Sequence, residues 1–193
     1  MFLNIPLLFI IQNSKHIKAD GKTFKDFMNG NIKAIENKKP TLKDFETHLS
    51  TIFTEIRLKS YIEIRSLDTC EWSCHCAGPA FYIGLLYGNL DEAYEVINKW
   101  NKLDVMNAYL EAPKKGLGTM INNKSILEWS EILLNLSKKG LQKRNVKNKS
   151  GEDESIFLKS IENTLSSKKT KAESTIEDFN EKKGIDFFYE QKN

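Results

Sequence analysis

Across residues 55–68, apolar and charged residues alternate with a period of two. Ile56, Leu58, Ile62 and Ile64 share one parity, and Arg57, Lys59, Glu63 and Arg65 share the other. Successive side chains of a strand point to opposite faces, so this stretch predicts a half-buried antiparallel strand with one apolar wall and one charged wall. The charged row is either a solvated outer face or the floor of a site for a highly charged ligand.

Elsewhere the pattern is shorter in range. Residues 7–11 read as a buried strand, 12–14 as a turn and 15–19 as a short return strand. Thr23 is an N-cap for a helix over 24–28 that stops at Asn29 and Gly30. Residues 31–40 read as a polar connection. Thr41 then caps a helix on which Leu42, Phe45 and Leu49 fall at helical spacing. After the central strand, Pro79 sits in the first turn of an apolar helix over 80–87. An amphipathic helix follows through Trp100, then a short helix over 105–112 and a loop over 113–118. Ser125 and Glu128 form a capping box ahead of a long helix that ends near Gly140. Helices over 152–165 and 170–180 and an aromatic-bearing tail over 184–193 complete the chain. Strands first and helices after make an α+β pattern. A single domain over 1–193 is expected, with strands and short helices over about 1–68 and a helical part over about 78–180.

Composition narrows the function classes. The 193 residues suffice for one domain with a real core. The net charge is only +3 and most Lys residues are interleaved with Glu and Asp, so no clustered basic face marks a nucleic-acid partner. The apolar opening over 1–11 has no basic residue before it and no small-residue cleavage site after it, and it is too short to span a bilayer, so no membrane partner is expected. Three Cys within seven residues, at 70, 74 and 76, are an odd number. They predict reduced thiols in a cytoplasmic protein rather than a secreted disulfide framework.

Several constellations carry candidate chemistry. Glu63 and Arg65 place a carboxylate and a guanidinium two apart on one strand face, which suits phosphoryl chemistry: the carboxylate holds Mg²⁺ and the Arg fork meets a phosphate or carboxylate. Pattern alone favours an exposed ion-pair ladder instead. Arg57 and Lys59 on the same face weigh against that reading. Cys70, Cys74, Cys76 and His75 lack the spacing of zinc knuckles. His48 reads as a half-buried helix residue. The loop over 114–119 looks like a phosphate cradle but lacks the strand and helix around a P-loop.

The run over 40–65, containing Thr47-His48-Leu49-Ser50-Thr51-Ile52-Phe53 and Glu55-Ile56-Arg57-Leu58-Lys59, resembles a block of the glutamate-cysteine ligases of the plant and proteobacterial type. Thr23-Phe24-Lys25-Asp26-Phe27, Ala80-Phe81-Tyr82-Ile83-Gly84-Leu85-Leu86-Tyr87, and Gly140-Leu141-Gln142-Lys143-Arg144 are similar to further blocks of that family in the same order. The resemblance implies ATP-dependent ligation of the γ-carboxylate of L-glutamate to L-cysteine, giving γ-glutamylcysteine, the first step of glutathione biosynthesis, with Mg²⁺ and ATP. It implies part of a glutamine-synthetase-like antiparallel bowl followed by helices. By that mapping Glu63 is a metal ligand, Glu63 and Arg65 are catalytic, and Arg57, Lys59, Ser50 and Thr51 lie by the substrates. Ser60, Ser73, Cys74, Asn122 and Asn123 depart from the family pattern. Family members are longer, so the chain is expected to correspond to the C-terminal half and to need a separate N-terminal half for catalysis. The alternative is a catalytically silent binding or regulatory remnant of the same fold.

Overall fold

Asn13 and Ser14 both take the left-handed region, with φ of 49° and 61°. They reverse the chain within two residues, so β1 (Ile10–Gln12) pairs antiparallel with β2 (Lys15–Ile17) and Gln12 lies opposite Lys15. This hairpin opens the first of two compact units, which divide between Leu67 and Asp68 in the computed structural model; the structure describes residues 2–35, 38–58, 60–68 and 70–181.

In the first unit, α1 (Phe24–Met28) starts where the Thr23 hydroxyl accepts from the Asp26 amide and the Asp26 carboxylate accepts from the Thr23 amide. Thr41 and Asp44 repeat the device for α2 (Leu42–Ser50). Leu7, Ile10, Ala19, Phe24 and Phe27 form the core with Ile32 and Ile35. The stretch expected as a polar connection thus supplies two core residues, Ile32 just before the 3-10 turn Lys33–Ile35 and Ile35 at its end. The buried side of α2 also differs from its apolar spacing. Leu42 is 74% exposed, while His48 is 1% exposed and stacks on Phe24 with ring centroids 5.2 Å apart. Phe24 of α1 sets the roll of α2, because its ring meets both Phe45 and His48.

The expected central strand is a hairpin. β3 (Ile56–Leu58) and β4 (Ile62–Ile64) pair antiparallel, with Ile56 opposite Ile64, Arg57 opposite Glu63 and Leu58 opposite Ile62. The burial is also reversed at Ile56 and Ile62, while Ile64 is half-buried. Ile56 and Ile62 are 61% and 67% exposed, whereas the side chains of Arg57, Glu63 and Arg65 are only 17%, 29% and 28% exposed.

The second unit is mainly helical. Its 3-10 turn Trp72–Cys74 brings Cys74 back to Cys70, and the two are disulfide-bonded, which corrects the expectation of three reduced thiols; Cys76 is free and exposed. α3 (Ala77–Ile83) runs into the π turn Gly84–Gly88, and α4 (Leu90–Ile97) follows. α5 (Lys102–Lys115) continues through Pro113 over part of the expected loop, since a proline in the last turn withdraws few helical bonds. β5 (Met120–Ile121) and β6 (Lys124–Ser125) form a hairpin about Asn122 and Asn123, both at positive φ.

Ser125 and Glu128 then cap α6 (Ile126–Arg144), which passes its expected end at Gly140 and stops at Asn145 in the left-handed region. The 3-10 turn Glu154–Leu158 leads into α7 (Lys159–Ser167), and α8 (Lys171–Glu181) ends the described residues. The expected tail over 184–193 lies outside them. α6 packs on α3 and its π turn around Leu141 and Leu158, both fully buried.

Candidate active site

Register builds the site. The direct pairing of Arg57 with Glu63 sets the Arg57 Nε–H 2.7 Å from Glu63 Oε2, and Nη1 of the same guanidinium donates to the Ser50 carbonyl at 3.2 Å. The end of α2 and the start of β3 are thereby tied together. Arg65, two residues beyond Glu63, donates from Nη1 to Oε1 at 3.3 Å, and its guanidinium carbon lies 5.0 Å from the centre of the Phe53 ring. The backbone N–H of Arg65 donates to the Glu55 carbonyl at 2.8 Å, continuing the ladder by one pair.

Glu63 is therefore held between two guanidiniums, one on each oxygen. The hydrogen bond from Arg57, reinforced by the charges of Arg57 and Arg65, holds its carboxyl below the usual carboxylate range. The cluster keeps a net positive charge, with guanidinium edges left to meet an anion.

Of the residues expected at the site, the structure brings Ser50, Arg57, Glu63 and Arg65 together. The Ser50 and Thr51 hydroxyls donate back to α2, to the Thr47 and His48 carbonyls at 2.7 and 2.8 Å, so Ser50 reaches Arg57 through its carbonyl. Lys59 lies outside the described residues. A cleft of about 580 Å³ adjoins the cluster, lined by Phe2, Leu49, Ile52 and Ile56 together with Ser50 and Arg57. Sequence reasoning missed Phe53 under Arg65; an aromatic residue just ahead of a cationic strand was its only signal. His48, with Nε2 3.1 Å from the Phe2 carbonyl, is a core residue. Among the described residues no three His, Cys, Asp or Glu side chains gather as a metal site, and Cys70 and Cys74 are bonded to each other.

A sequence profile of glutamate-cysteine ligase family 2 matches residues 10–185. The chain belongs to the glutamate-cysteine ligase family. Relatives within it include the chloroplastic glutamate-cysteine ligase of Solanum lycopersicum, 33% identical over 193 residues, which cover 98% of this chain and 36% of the relative. Chloroplastic ligase A of Oryza sativa subsp. indica is 36% identical over 173 residues, 89% of this chain and 34% of the relative. The chloroplastic ligase of Nicotiana tabacum is 33% identical over 184 residues, covering 94% and 34%.

The chain thus spans about a third of the length of these glutamate-cysteine ligases. Their names also overturn the expectation of a cytoplasmic protein, since all three are called chloroplastic. Among the described residues no helix is long and apolar enough to cross a membrane.

Proposed function

We propose that this chain supplies one wall of the active site of a glutamate-cysteine ligase, which joins the γ-carboxylate of L-glutamate to the amine of L-cysteine at the expense of ATP. The observation that carries this reading is the arginine pair pinned by Glu63 on one hairpin, within a chain of that family. Activating a carboxylate by phosphorylation gathers negative charge on a small group of oxygens. Fixed guanidiniums in a sheltered place stabilise such charge without having to reorganise. Arg57 and Arg65 receive the anionic groups of the substrates, with Ser50 and Thr51 beside them, and Glu63 keeps both guanidiniums aimed.

Mg²⁺ accompanying ATP supplies charge neutralisation at the phosphates. Glu63 retains lone pairs beyond its two hydrogen bonds, so it fits as one oxygen ligand. Magnesium takes an octahedral set, and the other ligands come from water, substrate phosphates and the part of the ligase outside the match. The hairpins belong to a larger antiparallel bowl related to that of glutamine synthetase, completed by the same part. The plastid is the compartment to which the relatives point.

The test joins this chain to the remaining two-thirds of the tomato ligase and measures γ-glutamylcysteine formed from glutamate, cysteine and Mg-ATP. Product that depends on both amino acids supports the reading. A folded assembly that binds Mg-ATP and glutamate without forming product favours the silent remnant, and turnover by the isolated chain at the rate of the assembly refutes the single-wall reading.

A further inference from the structure

On the β3–β4 hairpin, sheltered and open surfaces run opposite to what the side chains prefer. The charged row of β3 and β4 is partly covered, and the apolar residues Ile56 and Ile62 of the opposite row stand in water. Two strands alone are marginal in water, and a contiguous apolar patch on such a hairpin marks a contact surface. Among the described residues β3 and β4 pair only with each other, so both outer edges of the hairpin lack a strand neighbour. The cleft lined by Phe2, Leu49 and Ile52 shares Ile56 with this patch, and it shares Ser50 and Arg57 with the anion site.

We propose that the apolar face around Ile56 and Ile62, with the adjoining cleft, is the docking surface for the two-thirds of a glutamate-cysteine ligase polypeptide that the match to this chain does not span. The inference rests on the family and on the single-wall reading above. Its occupant is set by length: relatives that align with nearly all of this chain carry about twice as much polypeptide again. An apolar surface of that polypeptide seated here covers Ile56 and Ile62 and adds neighbours at the free strand edges. It also closes the cleft beside Arg57, excluding water from the guanidinium that meets the substrate. Docking and completion of the anion site are then one event.

The experiment co-expresses this chain with a tagged polypeptide comprising the remaining two-thirds of the tomato ligase and measures how much of this chain is retained on the tag. Ile56→Lys and Ile62→Lys should each lower retention at least tenfold, while Leu42→Lys, on the exposed side of α2, should leave it unchanged. Circular dichroism of each isolated variant shows whether the fold persists; a variant that has lost it is replaced by Ile62→Ser and Ile56→Ser. Absence of retention for the wild-type chain, or equal retention of the Ile62 and Leu42 variants, overturns the proposal. So does a dimer of the isolated chain that Ile62→Lys dissolves, because the occupant is then a second copy. Retention does not depend on turnover, so an inactive complex counts against the ligase reading and leaves the docking surface standing.

Discussion

A Cβ placed on Gly140 would run into the backbone carbonyl oxygen of Gly84. The π turn that follows α3 and the C-terminal turns of α6 therefore touch backbone to backbone, and Gly88 meets Gly140 in the same way. Gly140→Ala and Gly84→Ala should each cost about 1–3 kcal/mol through overpacking. Gly118→Ala, where a Cβ meets nothing within 4 Å, should change little. Urea denaturation of the three variants is the check, and equal midpoints would remove this contact from the account.

Glu63→Gln removes the charge that holds two guanidiniums. In the joined ligase it should lower kcat/KM for glutamate by about 10²-fold, the scale of losing a preorganised electrostatic contact. Stability should change little, as for other ion pairs open to solvent screening. Arg57→Lys keeps the charge but cannot bridge Glu63 and Ser50 at once, and it should raise KM for glutamate. Steady-state kinetics on both variants separates a site from an ornamental ladder.

Ligand binding offers a second reading of the site. Glutamate at 100 times its dissociation constant should stabilise the joined, Mg-ATP-loaded protein by about 2.7 kcal/mol. Arg65→Ala should abolish most of that gain. A thermal shift that survives the substitution places the ligand elsewhere.

Several carboxylates titrate below their usual range in the folded chain. Asp26, Glu128 and Glu173 do so because they accept from the backbone and hydroxyl of a capping Thr or Ser, and Glu63 because Arg57 and Arg65 hold it. A lowered folded value means that their stabilisation is fully present above the ordinary carboxylate range and is lost as pH falls through the lowered values. Denaturation midpoints should be flat from pH 7 to about pH 5 and decline below it. Ser125→Ala, which removes one cap, should cost about 1 kcal/mol at neutral pH.

The thiols give a direct count. The native chain should present one reactive thiol to a chromogenic disulfide reagent, from exposed Cys76, and three after reduction under denaturing conditions. Because Cys70 and Cys74 close a very short loop, Cys70→Ser should cost at most about 2 kcal/mol.

What the sequence disclosed was mostly local. Thr23 with Asp26, Thr41 with Asp44, and Ser125 with Glu128 are three residues apart, and each capping box stands where its spacing places it. Long-range choices were hidden. Arg57 and Glu63 pair across a three-residue reversal, so partners share parity and the alternation of a hairpin is the same as that of one continuous strand. Ile56 and Ile62 look like core residues in any pattern, and only the structure shows that nothing described covers them. Pro113 and Gly140 carry the local chemistry of a helix end, yet α5 and α6 pass through them because tertiary packing decides. At the site, the Glu63 and Arg65 neighbourhood was legible from one strand, while the bridging role of Arg57 needed the register and the Ser50 carbonyl.

The π turn Gly84–Gly88 behaves as an insertion fixed within a helix, because such a turn holds one more residue than the α geometry around it. Deleting a single residue there would restore the ordinary helical pitch and rotate all that follows by about 100°. α4 would then present Tyr94 and Ile97 where Ala93 and Val96 now meet α6. Chain length in this stretch is therefore under tighter constraint than side-chain identity, and single-residue deletions across 84–88 should be less tolerated than most substitutions there.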